Sequence, residues 1–227
     1  MSYTYSTFVT ALAKALVVSE TDASFVALLP TIIDNAEQRI YRELDLVSAS
    51  VVVTGNMVAY DHYFTLPTTS GHIVVVDVVS IIDADERKNL LPSTKDVIDY
   101  VYPSNNPTSP YLLPKLYTRL DDTRIYIGPI PNWAYTTEVT GTIRPTALSG
   151  VNGSTFLTLY LSDLFFAASM IAANAVLLKN YGAASEDPQQ AISWEAEYQT
   201  RLASAKSEEL RKLYISANSP LPASAKA

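Results

Sequence analysis

Cysteine is absent from all 227 residues, which excludes disulfides and thiolate metal sites. Histidine occurs twice, as His62 and His72, so an imidazole-built metal centre would need both, with carboxylates besides. Glycine is scarce at seven residues, and no glycine-rich phosphate loop is among them. Charged residues make up 17% of the chain, against about a quarter in ordinary globular proteins. The balance is acidic, at −7, and argues against gripping a polyanion, because duplex DNA is held mainly by Lys and Arg on its phosphates. It permits contact with DNA that must slide. The opening MSYTYSTFVTALAKALVV has neither the basic start nor the clean apolar core of a secretory signal.

Long apolar runs are missing as well, with one near-exception. The stretch LYLSDLFFAASMIAANAVLLKNYG, from Leu159 to Gly182, is the greasiest in the chain. Asp163 and Lys179 bound its apolar part short of the roughly 20 residues a membrane helix needs. No membrane is implied. The segment is still apolar nearly all round, and such a helix must be surrounded by protein. Ala168 and Ala172 would let a neighbouring backbone approach, while Phe165, Phe166 and Ile171 supply bulk. Two coverings remain open here: the other helices of one bundle, or an identical subunit.

What is present falls into three blocks. Phe8, Leu12, Ala15 and Leu16 mark a first helix over 6–18, capped by Ser6 or Thr7. A turn at 22–29 and a main helix from Pro30 to Leu44 follow, because proline suits a first turn. From 48 to 149, β-branched and aromatic runs alternate with turn formers. They are Val51–Val53, Tyr60–Leu66, Ile73–Ile82, Leu116–Arg119, Arg124–Ile127 and Thr136–Ile143. Ser93–Tyr100 reads as one short helix with Ser93 or Thr94 as its cap. Helical patterning returns over 158–181. After Asp187-Pro188 a last helix continues to Tyr214, with Ala191, Trp194, Tyr198, Leu202 and Ala205 on one face. The expected class is α+β: an antiparallel helical bundle of the two chain ends (1–47 with 150–214), carrying an inserted antiparallel β-sandwich or partial barrel (48–149). Residues 215–227 form an extended tail.

Catalytic constellations are not found. Asp121-Asp122 are adjacent, so on a strand they would face opposite ways and cannot flank one bond; the pair reads as a turn. Asp83-Ala84-Asp85-Glu86 lacks the glycine of a calcium loop and reads as a hairpin turn. His62 and His72 would approach each other only if Tyr60–Leu66 paired with Ile73–Val79. Neither an enzyme nor a cofactor is expected. Fifteen tyrosines, among them Tyr100, Tyr102, Tyr111, Tyr117, Tyr126 and Tyr135, suit protein contacts better than nucleic acid, since few Lys or Arg accompany them.

The order of parts resembles the head-to-tail adaptor, or head-completion, proteins of tailed bacteriophages. Four stretches carry the likeness: FVALLPTIIDNAEQRIYRELDL, LPKLYTRLDDTRIYIGPIPNWAYTTEVTGTIRPTALS, TFLTLYLSDLFFAASMIAANAVLLKNYG and DPQQAISWEAEYQTRLASAKSEE. Asp163, Asn180-Tyr181-Gly182, Asp187-Pro188 and Trp194-Glu195 are the most pattern-like positions. The resemblance implies a subunit of a ring, twelve copies by family habit, that lengthens the DNA channel below the portal and offers a platform to the tail or nozzle protein. It implies a virion neck location after assembly in the host cytoplasm. Leu213, Tyr214, Ile215 and Leu221 would anchor the C-terminal segment to the portal. Phe165, Phe166, Ala168, Ile171, Ala172, Trp194 and Tyr198 would make core or inter-subunit helix contacts. A tail terminator or other neck protein is the alternative within this class. Outside it stands a β-sandwich that binds glycan or peptide through tyrosines and Trp133.

Overall fold

The structure is a computed structural model that describes residues 2–68, 70–103, 113–177 and 188–217, with side chains from 193 to 214 in the last range. The helices are α1 (Tyr5–Ala15), α2 (Ala23–Glu43), α3 (Lys95–Val101), α4 (Phe156–Tyr160), α5 (Ser162–Val176) and α6 (Pro188–Ala217). The strands are β1 (Ser50–Asn56), β2 (Tyr63–Thr65), β3 (His72–Asp83), β4 (Glu86–Asn89), β5 (Leu91–Pro92), β6 (Leu116–Arg119), β7 (Arg124–Gly128) and β8 (Thr136–Arg144). The class is α+β, and the chain divides into a helical unit, 1–48 with 147–227, and a β-rich unit, 49–146.

In the helical unit α1 is capped by Thr4, not by Ser6 or Thr7. Thr4 and Thr7 bond reciprocally through hydroxyl and backbone; Ser6 would have Val9 three residues on and no such partner. α2 is one continuous helix, whereas the sequence suggests a break at Pro30. Asp22 caps it by accepting the Phe25 N–H at 2.9 Å. The buried stripe Phe25, Leu29, Ile32, Ile33, Ala36 and Ile40 runs through the proline position without interruption. Pro30 and Val26, whose carbonyl loses its partner there, both lie on the exposed side. Burying six such side chains outweighs the roughly 3 kcal/mol that a mid-helix proline costs.

The expected helix over 158–181 is instead two helices. Thr155 and Thr158 form a second reciprocal cap, and Leu161 sits at φ −123° and ψ 36°, outside helical conformation, with its side chain buried. α5 starts directly after it. Leu164, Phe165, Ala167, Ala168, Met170, Ala173 and Leu177 are buried, and α5 packs against α1, α2, α4 and α6. The proposed left-handed stop at Gly182 and the Asp187 cap lie outside the described residues. α6 buries Tyr198, Leu202, Ala205 and Glu209 on one face and runs to Ala217, three residues past its expected end.

In the β-rich unit one sheet has the order β1-β8-β3-β4 and is antiparallel throughout. The second, β2-β7-β6-β5, is mixed, because β5 joins β6 in parallel. That corrects the expectation of antiparallel strands alone. Neither sheet closes into a barrel among the described residues. The hairpin of Tyr60–Leu66 with Ile73–Val79 does not form: β2 pairs with β7 and β3 with β8. Strands β4 and β5 were not foreseen, since ERKN is charged and Leu91–Pro92 is too short to show a period. Both sheets contribute to one apolar cluster, including Val53, Phe64, Ile73, Val79, Ile81, Ile125, Ile127 and Val139.

Local chemistry explains the joints of this unit. Ala84 and Asp85 take φ of 49° and 66° between paired Asp83 and Glu86, the backbone of a two-residue hairpin turn. β3 carries two bulges, and Gly141 of β8 lies where a Cβ would strike the Val75 carbonyl. From β6, Arg119 donates to the Val74 carbonyl and, at 3.0 Å, to that of Ile73, clamping the second sheet to the bulged strand. Asp121 makes the expected turn: its carboxylate accepts from Thr123 N, Thr123 Oγ1, Arg124 N and Arg124 Nε. The Thr123 and Arg124 donors hold its pKa well below the ordinary carboxylate range. Thr94, one of two expected caps, accepts the Val97 N–H of α3.

Candidate functional site

Of the residues expected to make helix contacts, three, Phe165, Phe166 and Trp194, meet in ring contacts among α1, α5 and α6. Phe8 of α1 stacks on Phe165 at 4.7 Å between ring centres, and Phe166 meets the Trp194 ring edge-on at 6.0 Å. Tyr3 stacks against Phe166 at 6.3 Å. Phe165 and Ala168 are buried, whereas Phe166, Ile171, Ala172 and Trp194 are half-buried. Most of the apolar girth of α5 is therefore covered by its own unit.

Tyr198 lies in a polar clamp between α2 and α6 that sequence reasoning missed. Arg39 grips Glu195 with both terminal nitrogens, at 2.9 and 2.6 Å, and turns its Nε to Glu43 at 3.1 Å. Its guanidinium lies 4.1 Å over the Tyr198 ring, and the Tyr198 hydroxyl donates to Glu43 at 3.0 Å. This fork and stack suit arginine alone. Burial, then the Glu43 bond, pushes the pKa of the Tyr198 phenol well above its ordinary range. The one available signal was that Arg39 and Glu195 both fall in the family-like stretches.

Two buried carboxylates complete the helical unit. Glu37, 3% exposed, accepts the Leu148 N–H at 3.1 Å and ties the returning chain to α2. Desolvation pushes its pKa up to about 7, against the lowering effect of that bond. Glu209 accepts the Val47 N–H at 3.0 Å and the Lys212 ammonium at 2.6 Å. Beside it opens a groove of about 280 Å³ lined by Glu43, Leu44, Asp45, Lys206, Glu209, Leu210 and Leu213.

Leu213 is 47% exposed and Tyr214 72%. Ile215 is helical in backbone, and Leu221 lies outside the described residues. The two groups of candidate residues are thus not one site. Trp194 and Leu213 are separated by about 30 Å along α6 at 1.5 Å per residue.

The β-rich unit holds the other cluster. Tyr126 donates to Asp99 at 2.8 Å, Lys95 reaches Asp99 at 2.5 Å, and the His62 ring stacks on Tyr126 at 4.9 Å. These residues line a cleft of about 440 Å³ with Tyr63, Tyr102 and Pro103. His62 Nδ1 bonds the Ile127 carbonyl, and His72 stands on β3 in the other sheet. No group of three His, Asp or Glu side chains stands close enough to share a metal ion among the described residues. Nor is any described helix long and apolar enough to cross a membrane.

The model of the SU10 adaptor protein family matches residues 3–221, nearly the whole chain. No curated protein matches it.

Proposed function

Because the chain belongs to the SU10 adaptor protein family, we propose that it is the head-to-tail adaptor of a phage particle, a structural protein that forms a ring beneath the portal. The ring extends the DNA channel and gives the tail its docking platform. The observation that carries this reading is the match of the family model across both units. The acidic balance of −7 supports a passage along which DNA slides without being held. A heterologous contact between copies closes such a ring, with twelve the copy number by family likeness. In this reading the exposed Leu213 and Tyr214, with Ile215 and Leu221 beyond them, anchor the C-terminal segment on the portal.

The surplus apolar surface of α5 gives less support than the sequence suggests, because α1, α2, α4 and α6 already cover most of it. Half-buried Phe166, Ile171 and Ala172 remain as contacts for a neighbouring copy. The test is the mass of the purified chain alone and mixed with portal rings. Growth of the portal particle by a whole ring of subunits supports the reading. A chain that stays monomeric with portal and instead binds glycans through the Tyr63–Tyr102–Tyr126 cleft overturns it.

A further inference from the structure

The two sheets have four outer edges, and three are blunted against pairing. β2 is three residues long, β5 is two and contains Pro92, and β4 carries Glu86, Arg87 and Lys88. Shortness, proline and charge are the usual means of stopping an edge from recruiting another chain. The fourth edge, β1, has none of them. Its seven residues, SVVVTGN, are neutral and free of proline. Ser50, Val52, Thr54 and Asn56 are exposed along it, Val52 at 59%. Beyond β8, no hydrogen bond reaches Ser50–Gly55 from any described residue. The outer face beside it is neutral over several positions: Val52 pairs with Thr140, which pairs on with Val78, and Thr142 pairs with Val75.

We propose that β1 is a docking edge that takes an extended strand from a different protein of the particle, continuing the β1-β8-β3-β4 sheet. The inference rests on the adaptor reading for the identity of the particle. A second copy of this chain is a poor donor. Its other three edge strands are blunted, and the stretch of β3 that β4 leaves unpaired has its Ile73 and Val74 carbonyls taken by Arg119 and exposes Asp77. β1 against β1 would make a two-fold pair, whereas a ring needs unlike surfaces. By composition the segments 104–112, 178–187 and 218–227 are poor strand donors as well: Thr108 is their only β-branched residue, and Pro107, Pro110, Pro220 and Pro222 interrupt two of them. The donor is therefore a proline-free run of about five to seven residues. Its alternate side chains are apolar, to lie inward beside Val51 and Val53, and β-branched or hydroxylated outward, beside Val52 and Thr54.

The experiment compares amide exchange over 50–56 in the free chain and in purified particles, with a photo-crosslinking residue placed at Thr54. The proposal expects alternate β1 amides to slow by at least about 100-fold in the particle, with the crosslink landing on such a run in another virion protein. Equal exchange in both states, or a crosslink to any part of a second copy of this chain, overturns it. A particle whose neck contains the ring while β1 exchanges freely would sink this inference and leave the adaptor reading standing.

Discussion

Among single residues, Glu37 has the clearest consequence. Its folded pKa of about 7 lies above the ordinary 4.5, so the buried state favours the protonated form. Below about pH 4.5 both folded and unfolded chains hold the proton and nothing is lost. As pH rises towards 7 the unfolded chain gives up its proton first, and folding loses up to about 3 kcal/mol. Glu37→Gln keeps an acceptor for the Leu148 N–H and removes the ionisation. Urea unfolding should show the variant gaining on the parent between pH 4 and pH 8 by an amount of that order. A constant difference across the range would mean that Glu37 is not desolvated as described. Arg39→Lys should weaken the α2–α6 clamp at every pH, because an ammonium cannot fork to Glu195 while lying over the Tyr198 ring.

At the level of elements, Pro30 is a fault that α2 tolerates. Pro30→Ala restores a donor to the Val26 carbonyl on the exposed side, and thermal unfolding should show a gain of about 1–3 kcal/mol. A loss would mean that the proline shapes the helix. Ala168→Trp should overpack the buried side of α5 and cost roughly 1–3 kcal/mol or more, seen as a lower melting temperature. Helix-period patterning made α1, α2, α5 and α6 legible, and strand-period patterning made β1, β3 and β8 so. The break at Leu161 was not legible, because its signal is a threonine pair, Thr155 and Thr158, within an otherwise unbroken apolar pattern. β4 and β5 were hidden for a related reason: their place depends on partners β3 and β6, not on their own composition. The portal anchors and the helix-packing residues are two groups in the sequence, and α6 carries members of both, Trp194 and Tyr198 in one and Leu213 and Tyr214 in the other. The Arg39–Glu195 and Glu209–Val47 ties join residues more than 150 positions apart, beyond the reach of any local pattern.

For the whole molecule, membership of the SU10 adaptor protein family points to a structural role in a phage particle. On the adaptor reading the exposed end of α6 meets the portal. Deleting 216–227 should leave the melting temperature of the chain unchanged and weaken portal attachment, as scored by co-sedimentation. A markedly lower melting temperature would show that the last residues belong to the core. The most direct measurement is an electron cryo-microscopy reconstruction of the parent particle. The adaptor account predicts a closed ring of this chain under the portal, with the α6 ends pointing to it and DNA on the axis. Density for the chain outside the neck, or as isolated copies that do not encircle the channel, would contradict it.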